Sequence, residues 1–300
     1  MNIKEWFTVW FKAARAPFLV VSFIPAILGG AIAYAHGHFD LTLSILATIG
    51  IVAAHGAADF VDDYFDYFSG NLGNKEKQFH DSPLIDGKVT PRQVLIATFL
   101  FMAIAVGIGI YLFLRSGIPV LIMAGIGTFI VLFYTSPPVK LNYRGLGETM
   151  LFFAFGPLIV FGVYFIQAEA FAWEPILASI PLGIFTMNVG LVSNTFDYRD
   201  DVSSGKRTIP VRFGQPASVN LILVVNVIGF LVILASPFFG GLPWWGYLML
   251  PTLPLAIRVV KKTSLFENAD NYTTAMTSAI TLTSVAGLLL IAGYIAQIAV

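Results

Sequence analysis

The sequence predicts an all-α polytopic membrane protein of about nine transmembrane helices, arranged as two four-helix units plus a ninth helix. Three observations carry that expectation. The 300 residues are 57% hydrophobic and only 11% charged, whereas a soluble domain carries about 25% charged residues in its solvated shell. The apolar residues fall into runs close to the roughly 20 residues that cross a bilayer as helix. The basic residues, in turn, gather at one end of those runs.

The chain opens with Ile3–Ala14, where Trp6, Phe7 and Trp10 lie beside Lys4 and Lys12; residues 1–14 therefore read as an amphipathic helix lying in the membrane interface. Spans are expected at Phe18–Ala35, Leu43–Phe60, Val94–Leu114, Ile118–Tyr134, Met150–Ile166, Ile176–Phe196, Ala217–Leu234, Trp245–Val260 and Thr273–Ile298. Gly-Pro, Ser-Pro-Pro and charged clusters separate them. Pro237, Gly240, Gly241 and Pro243 blur the boundary between the seventh and eighth. No small-residue cleavage site follows the first apolar run, so no signal peptide is expected. Cysteine is absent, which excludes disulfides, thiolate nucleophiles and thiolate metal sites.

Orientation follows from charge. Lys4, Lys12 and Arg15 precede the first span, Lys75, Lys77, Lys88 and Arg92 follow the second, and Lys140 and Arg144 follow the fourth. Arg199, Lys206, Arg207 and Arg212 follow the sixth, and Arg258, Lys261 and Lys262 end the eighth. Thus 16 of the 17 Lys and Arg residues share one side, with Arg115 alone on the other. The positive-inside rule makes the rich side cytoplasmic and the carboxyl terminus external. The whole chain, 1–300, reads as one membrane-embedded domain of the cell membrane, with loops 63–92 and 197–216 over a cytoplasmic active site.

Those two loops carry the chemistry. Asp62-Asp63-Tyr64-Phe65-Asp66 closes the second span and runs into Ser69-Gly70; Asp197-Tyr198-Arg199-Asp200-Asp201 closes the sixth and runs into Ser204-Gly205. The four-span separation suggests a parallel repeat that brings the two motifs face to face. Asp59, Asp62, Asp63 and Asp66 fall on one helical face, as do Asn194, Asp197 and Asp201, with Asp200 alongside. Carboxylates so close repel one another unless cations neutralise them, and acids beside membrane-spanning segments are costly and usually functional. The plainer reading is a pair of solvated acidic helix ends, but helix C-termini favour cations over carboxylates. Oxygen donors without His or Cys select a hard cation, Mg²⁺ before Zn²⁺, and Mg²⁺ commonly shares its remaining positions with a phosphate. Two facing clusters with bases nearby describe a diphosphate clamp. Lys75, Lys77, Lys140, Arg144, Lys206 and Arg207 are the candidate phosphate donors, and Tyr134 and Tyr143 line up as aromatic contacts.

The first motif resembles the Asn-Asp-x-x-Asp signature of the UbiA superfamily of intramembrane prenyltransferases, with Asp62 in place of the usual Asn. Asp197-x-x-x-Asp201 followed by Gly205-Lys206-Arg207-Thr208 is similar to that superfamily's second motif. Tyr134-Thr135-Ser136-Pro137-Pro138 and Leu141 to Glu148 resemble its menaquinone-type branch, and Arg15-Ala16-Pro17 resembles the Arg-Pro that opens its first helix. Leu72 and Gly73 stand where that branch carries a further Asp, and Ser82 to Gly87 replaces its Arg-Pro-x-x-Ser-Gly run. The resemblance implies Mg²⁺-dependent transfer of a polyprenyl group from an allylic polyprenyl diphosphate to a small acceptor, an aromatic quinone precursor or a lipid. Asp63, Asp66, Asp197 and Asp201 would be the catalytic carboxylates, and Arg144, beside Gly145 in a matched motif, the foremost phosphate contact.

Competing readings are a prenyltransferase with a non-quinone acceptor (lipid ether, haem or chlorophyll type) and a cation-coupled transporter. No P-loop, dinucleotide fingerprint, Ser nucleophile constellation or nucleic-acid motif is present. Of the histidines, His36 and His38 belong to an external loop and His80 to a cytoplasmic one. His55 sits one turn before Asp59, as a packing residue or an acceptor contact.

Overall fold

A computed structural model describes residues 2–72 and 82–298, and every regular element among them is helical. The expected phosphate donors Lys75 and Lys77, and His80, lie outside the described residues.

Helix α1 (Ile3–Ala13) begins with a reciprocal cap in which Asn2 accepts from the Glu5 N–H and Glu5 accepts from the Asn2 N–H. It presents Trp6, Phe7 and Phe11 outward. Arg15, in left-handed backbone, turns the chain through a short 3-10 segment (Ala16–Leu19) into α2 (Val20–Ala35). α3 (Leu41–Ser69) is a single 29-residue helix that ends at Gly70, whose left-handed backbone (φ 75°) releases the chain without a Cβ penalty. α4 (Pro91–Ser116) starts at a Thr90–Gln93 capping box, and α5 (Ile118–Phe133) follows directly. α6 (Gly147–Phe153) passes through a π-helical turn (Ala154–Leu158) into α7 (Ile159–Ala168). Next come α8 (Trp173–Phe196) and two short helices, α9 (Tyr198–Ser203) and α10 (Ile209–Phe213). α11 (Gln215–Ala235), α12 (Leu253–Thr263) and α13 (Asn271–Ile298) complete the chain.

Seven of these segments are long and apolar enough to cross a membrane, and the chain is an integral membrane protein. The expectation of nine spans is therefore not met on length and composition among the described residues. Two of the nine expected segments fall short: α5 has 16 residues, and Trp245–Val260 is divided between a 3-10 stretch (Trp244–Thr252) and α12. Pro251 and Pro254 cause that division, because each lacks the N–H that a continuous α-helix needs.

Layering follows from side-chain size and lipid contact. The most apolar window of α8 is 67% buried and that of α4 only 17%, which puts α8 at the centre and α4 on the rim. Leu28, Ile32, Leu182, Phe185, Met276 and Leu282 form the fully buried heart of the bundle where α2, α8 and α13 meet. Large apolar side chains of α4, α5 and α11, such as Phe99, Leu121 and Leu231, face outward, as lipid permits and water would not. Helices approach closely where a Cβ is missing. At Gly29 of α2 an added Cβ would come within 2.5 Å of the Val160 carbonyl in α7. In a bilayer, which gives helices little hydrophobic drive to associate, such close packing is what holds them together.

Candidate functional site

At the basic ends of α3 and α8 the bundle opens into a cavity of about 430 Å³ whose mouth is acidic and whose depth is apolar. The mouth is lined by Asp59, Asp62, Asp63 and Asp66 of α3 and by Asn194, Asp197 and Asp201 from the end of α8 and from α9. Ile51, Ile108, Leu112, Met123 and Ile159 line the depth.

Two cations hold the acids together. The Arg15 guanidinium donates to Asp63 and lies 3.4 Å from an Asp62 oxygen. Lys206 Nζ donates to Asp66 Oδ2 at 2.7 Å and stands 3.8 Å from Asp201 Oδ1, so one ammonium links the two motifs. Around it, Asn71 Nδ2 donates to Asp66 at 3.2 Å and to Asp201 at 3.4 Å, and Thr208 Oγ1 donates to Asp201 at 3.0 Å. Tyr143 OH donates to Asp66 Oδ1 at 3.1 Å, and its ring lies under both Lys140 and Lys206, 4.7 and 5.1 Å from the centroid. Asp197 accepts from Ser193 Oγ at 2.9 Å, and Asn194 Nδ2 donates to the buried Glu148 at 2.9 Å.

Burial sets the protonation of the second motif. It pushes the Asp201 carboxyl up to about 7, against the opposing pull of Lys206, and the Asp197 carboxyl up to about 6, against the Ser193 hydrogen bond. Burial alone would lower Lys206, but Asp66, Asp62 and Asp201 outweigh it and hold the ammonium charged. A cation bound beside Asp197 and Asp201 would draw both carboxyls back toward their charged form.

The expected site residues are placed unevenly. Among the described residues, no three acidic or histidine side chains converge closely enough to form a metal site as they stand. Arg15 and Lys206 account for this, since each takes up carboxylate oxygens that a metal would otherwise draw inward. Asp200 is absent from the cavity wall, because α8 stops at Asp197 and the redirected α9 turns Asp201 inward instead. Arg144 is exposed and donates to the Pro138 carbonyl at 3.3 Å, away from the acids. Arg207 is likewise exposed; its backbone N–H donates to the Tyr143 carbonyl at 3.1 Å and so pins the Tyr143 loop. Tyr134 lines the cavity, whereas Tyr143 and Lys140 sit at its rim.

Sequence reading overlooked Asn71, Thr208, Ser193 and Glu148 as partners of the acids, and it saw Arg15 only as part of a helix-opening motif. Arg15 had a signal: a lone basic residue abutting an apolar span. Asn71 had none, since only the α3 C-cap and the return of α9 bring it to Asp201.

The family model described as the UbiA prenyltransferase family matches residues 22–280. The 2-carboxy-1,4-naphthoquinone phytyltransferase of Synechocystis sp. is 25% identical over 291 residues, covering 95% of this chain and 92% of the relative. The 1,4-dihydroxy-2-naphthoate octaprenyltransferase of Bacillus subtilis is 23% identical over 285 residues, covering 95% and 91%. Among solved structures, a UbiA homolog from Aeropyrum pernix K1 is similar with a TM-score of 0.71 at 18% identity, covering 93% of this chain and 98% of its own. A UbiA homolog from Archaeoglobus fulgidus bound to GPP and Mg²⁺ is similar with a TM-score of 0.60 at 15% identity, covering 97% and 99%.

Proposed function

This chain belongs to the UbiA prenyltransferase family, and from that premise we propose that it transfers a polyprenyl group from an allylic polyprenyl diphosphate to an aromatic quinone precursor, with Mg²⁺ as cofactor. The observation that carries the reading is the single cavity that sets both Asp motifs over an apolar chamber. Charge at the mouth suits a diphosphate; the apolar depth suits an isoprenoid chain. The relatives that match along nearly the whole chain are named for naphthoquinone and naphthoate acceptors. That supports an aromatic acceptor over a lipid or haem one. A cation-coupled transporter is set aside by the family match.

The donor set fits a hard divalent cation. All donors are oxygens, and the buried Asp59 Oδ2 and Asp62 Oδ1 accept no hydrogen bond among the described residues, so both retain lone pairs for a metal. Asp59, Asp62, Asp63 and Asp66 would hold it on one side, and Asn194, Asp197 and Asp201 on the other. When bound, Mg²⁺ supplies positive charge that favours departure of the diphosphate. Lys206, already linking the motifs, donates to phosphate oxygens, as would Arg15 from the α2 side. Glu148 accepts the Asn194 amide N–H, which leaves the Asn194 carbonyl oxygen to face the cavity. The apolar chamber keeps water from the allylic centre.

Purified protein offered several allylic diphosphates and acceptors, with and without Mg²⁺, should yield a prenylated hydroxyaromatic product by mass spectrometry, and only with the metal. A prenylated lipid alcohol instead would reassign the acceptor. We place this site on the cytoplasmic face of the cell membrane, because the basic residues gather there. Cysteines introduced at Ser69 and Gln297 should label from opposite faces of the membrane. Labelling from the same face would overturn an odd number of crossings between the two positions.

A further inference from the structure

One histidine of the cavity wall is oriented by a hydrogen-bond chain that none of the diphosphate chemistry uses. His55, on α3 one turn before Asp59, has its Nδ1 3.0 Å from Ser22 Oγ on α2. Ser22 Oγ in turn donates its one proton to the Leu19 carbonyl at 2.9 Å. A hydroxyl has one hydrogen, so Ser22 can only accept from His55, and Nδ1 carries the imidazole proton. Nε2 is therefore left as a lone-pair acceptor. Asp59 Oδ2 lies 3.8 Å away, beyond hydrogen-bond reach. The imidazole, only 10% exposed, thus turns toward the cavity an Nε2 lone pair that no donor among the described residues meets. An acceptor enclosed in an apolar cavity gains most from a ligand that brings an O–H.

The surroundings specify what else that ligand must be. Phe155, delivered by the π-helical turn between α6 and α7, packs edge-on to the His55 ring at 4.8 Å between centroids. Phe18, Val21 and Met276 line the same cavity. The pairing offers a planar ring a flat, apolar seat, with the hydrogen-bond acceptor at its edge. A second polar atom in the same cavity is also unmet: Thr186 Oγ1 on α8, in a residue 1% exposed, has no hydrogen-bond partner among the described residues.

We propose that His55, held by Ser22 and walled by Phe155, is the acceptor-binding residue of this enzyme, its Nε2 receiving the hydroxyl of a hydroxylated aromatic ring whose second polar substituent meets Thr186. The proposal rests on the prenyltransferase reading above. It separates two recognition tasks within one cavity: the Asp motifs, Arg15 and Lys206 take the diphosphate, and the His55 wall takes the ring. An acceptor hydroxyl bonded to a neutral imidazole also makes its ring more electron-rich.

The test compares a hydroxynaphthalene competitor with its methyl ether, each measured as an inhibition constant against the acceptor in the full-length protein. Wild-type protein should prefer the free hydroxyl by roughly 10-fold, the worth of one buried hydrogen bond. His55→Phe should abolish that preference and raise the acceptor KM, while the KM for the allylic diphosphate and the Mg²⁺-dependent binding of a thio-diphosphate analogue stay unchanged. Thr186→Val should raise the acceptor KM alone and leave the preference for the hydroxyl intact. If His55→Phe kept the preference, or raised the diphosphate KM by the same factor, the assignment would be overturned. Should His55→Phe lose analogue binding through misfolding, Ser22→Ala decides. It frees the imidazole to rotate, so it must weaken the hydroxyl preference, and an unchanged preference would sink the proposal. Failure of the wild type to prenylate any hydroxyaromatic would instead overturn the functional reading itself, a result distinct from retained turnover with indifferent His55 variants.

Discussion

The two Asp motifs look alike in sequence and differ in construction. The first lies on uninterrupted helix: Asp59, Asp62, Asp63 and Asp66 belong to the last three turns of α3, and their charge is met from outside, by Arg15 and Lys206. The second is broken. α8 stops at Asp197, α9 begins at Tyr198, and Asp201 comes inward from a different helix. Its carboxylates are met locally, Asp197 by Ser193 and Asp201 by Thr208, both within seven residues. A continuous helix can present four acids on one face, but its only local donor to them among the described side chains, Asn71, comes from beyond its C-cap. A helix break supplies donors from its own loop, because Ser and Thr hydroxyls reach backbone and side chains over short spans. The first motif is thus a rigid wall of charge and the second a clasp preset by its own hydrogen bonds.

The largest effects should come from removing a carboxylate at the junction. Asp66→Asn and Asp201→Asn, which keep the side-chain volume, should each lower product formation by about 10³-fold, the scale for loss of a group that stabilises developing charge. Circular dichroism and detergent stability should be retained. Near-normal turnover in either variant would remove that motif from the mechanism.

The two motifs should also act as one site for metal and diphosphate together. Mg²⁺ should tighten binding of a non-hydrolysable thio-diphosphate analogue, and the analogue should tighten Mg²⁺ by the same factor, in the range of about 5–150-fold that couplings between sites span. Calorimetric titration with Mg²⁺ and then with EDTA measures it. Equal binding in EDTA would mean that the acids do not serve a diphosphate.

The bridge between motifs distinguishes the bases. Lys206 is 5% exposed at its side chain and touches both motifs, whereas Arg144 is exposed and touches neither. Lys206→Met should raise the allylic diphosphate KM by about 30-fold, the scale of a lost charge-assisted bond, and Arg144→Ala by less than about 3-fold. The reverse order would restore the sequence-based ranking of Arg144 over Lys206.

The smallest effect should fall on the clasp. Thr208→Val removes only the hydroxyl that orients Asp201, so Mg²⁺ affinity should drop by roughly 10-fold with the fold intact, as for other groups that orient metal ligands. An Asp-motif variant and Thr208→Val acting with fully additive effects would show that the clasp and Asp201 are independent.

Much was legible in the chain itself. Composition alone set the solvent, because a surface so poor in charge cannot be wetted. Period fixed which acids share a face: Asp59, Asp62, Asp63 and Asp66 do line the cavity together, as a helix of 3.6 residues per turn requires. Asn194, Asp197 and Asp201 line it too, although periodicity cannot foresee that α8 ends at Asp197 and that a separate helix carries Asp201. Nor could it rank the bases. Lys206 and Arg207 are neighbours with the same charge, yet one is buried between the motifs and the other is exposed. Local sequence determines what a segment is, because hydrophobicity, helical period and charge act over a few turns. Which side chains meet is decided by how α2, α3, α8 and α9 converge, bringing Arg15, Asp66, Asn71, Asp201 and Lys206 together from positions 15 to 206 of the chain. Contacts between such distant segments depend on packing, which no short stretch of sequence encodes.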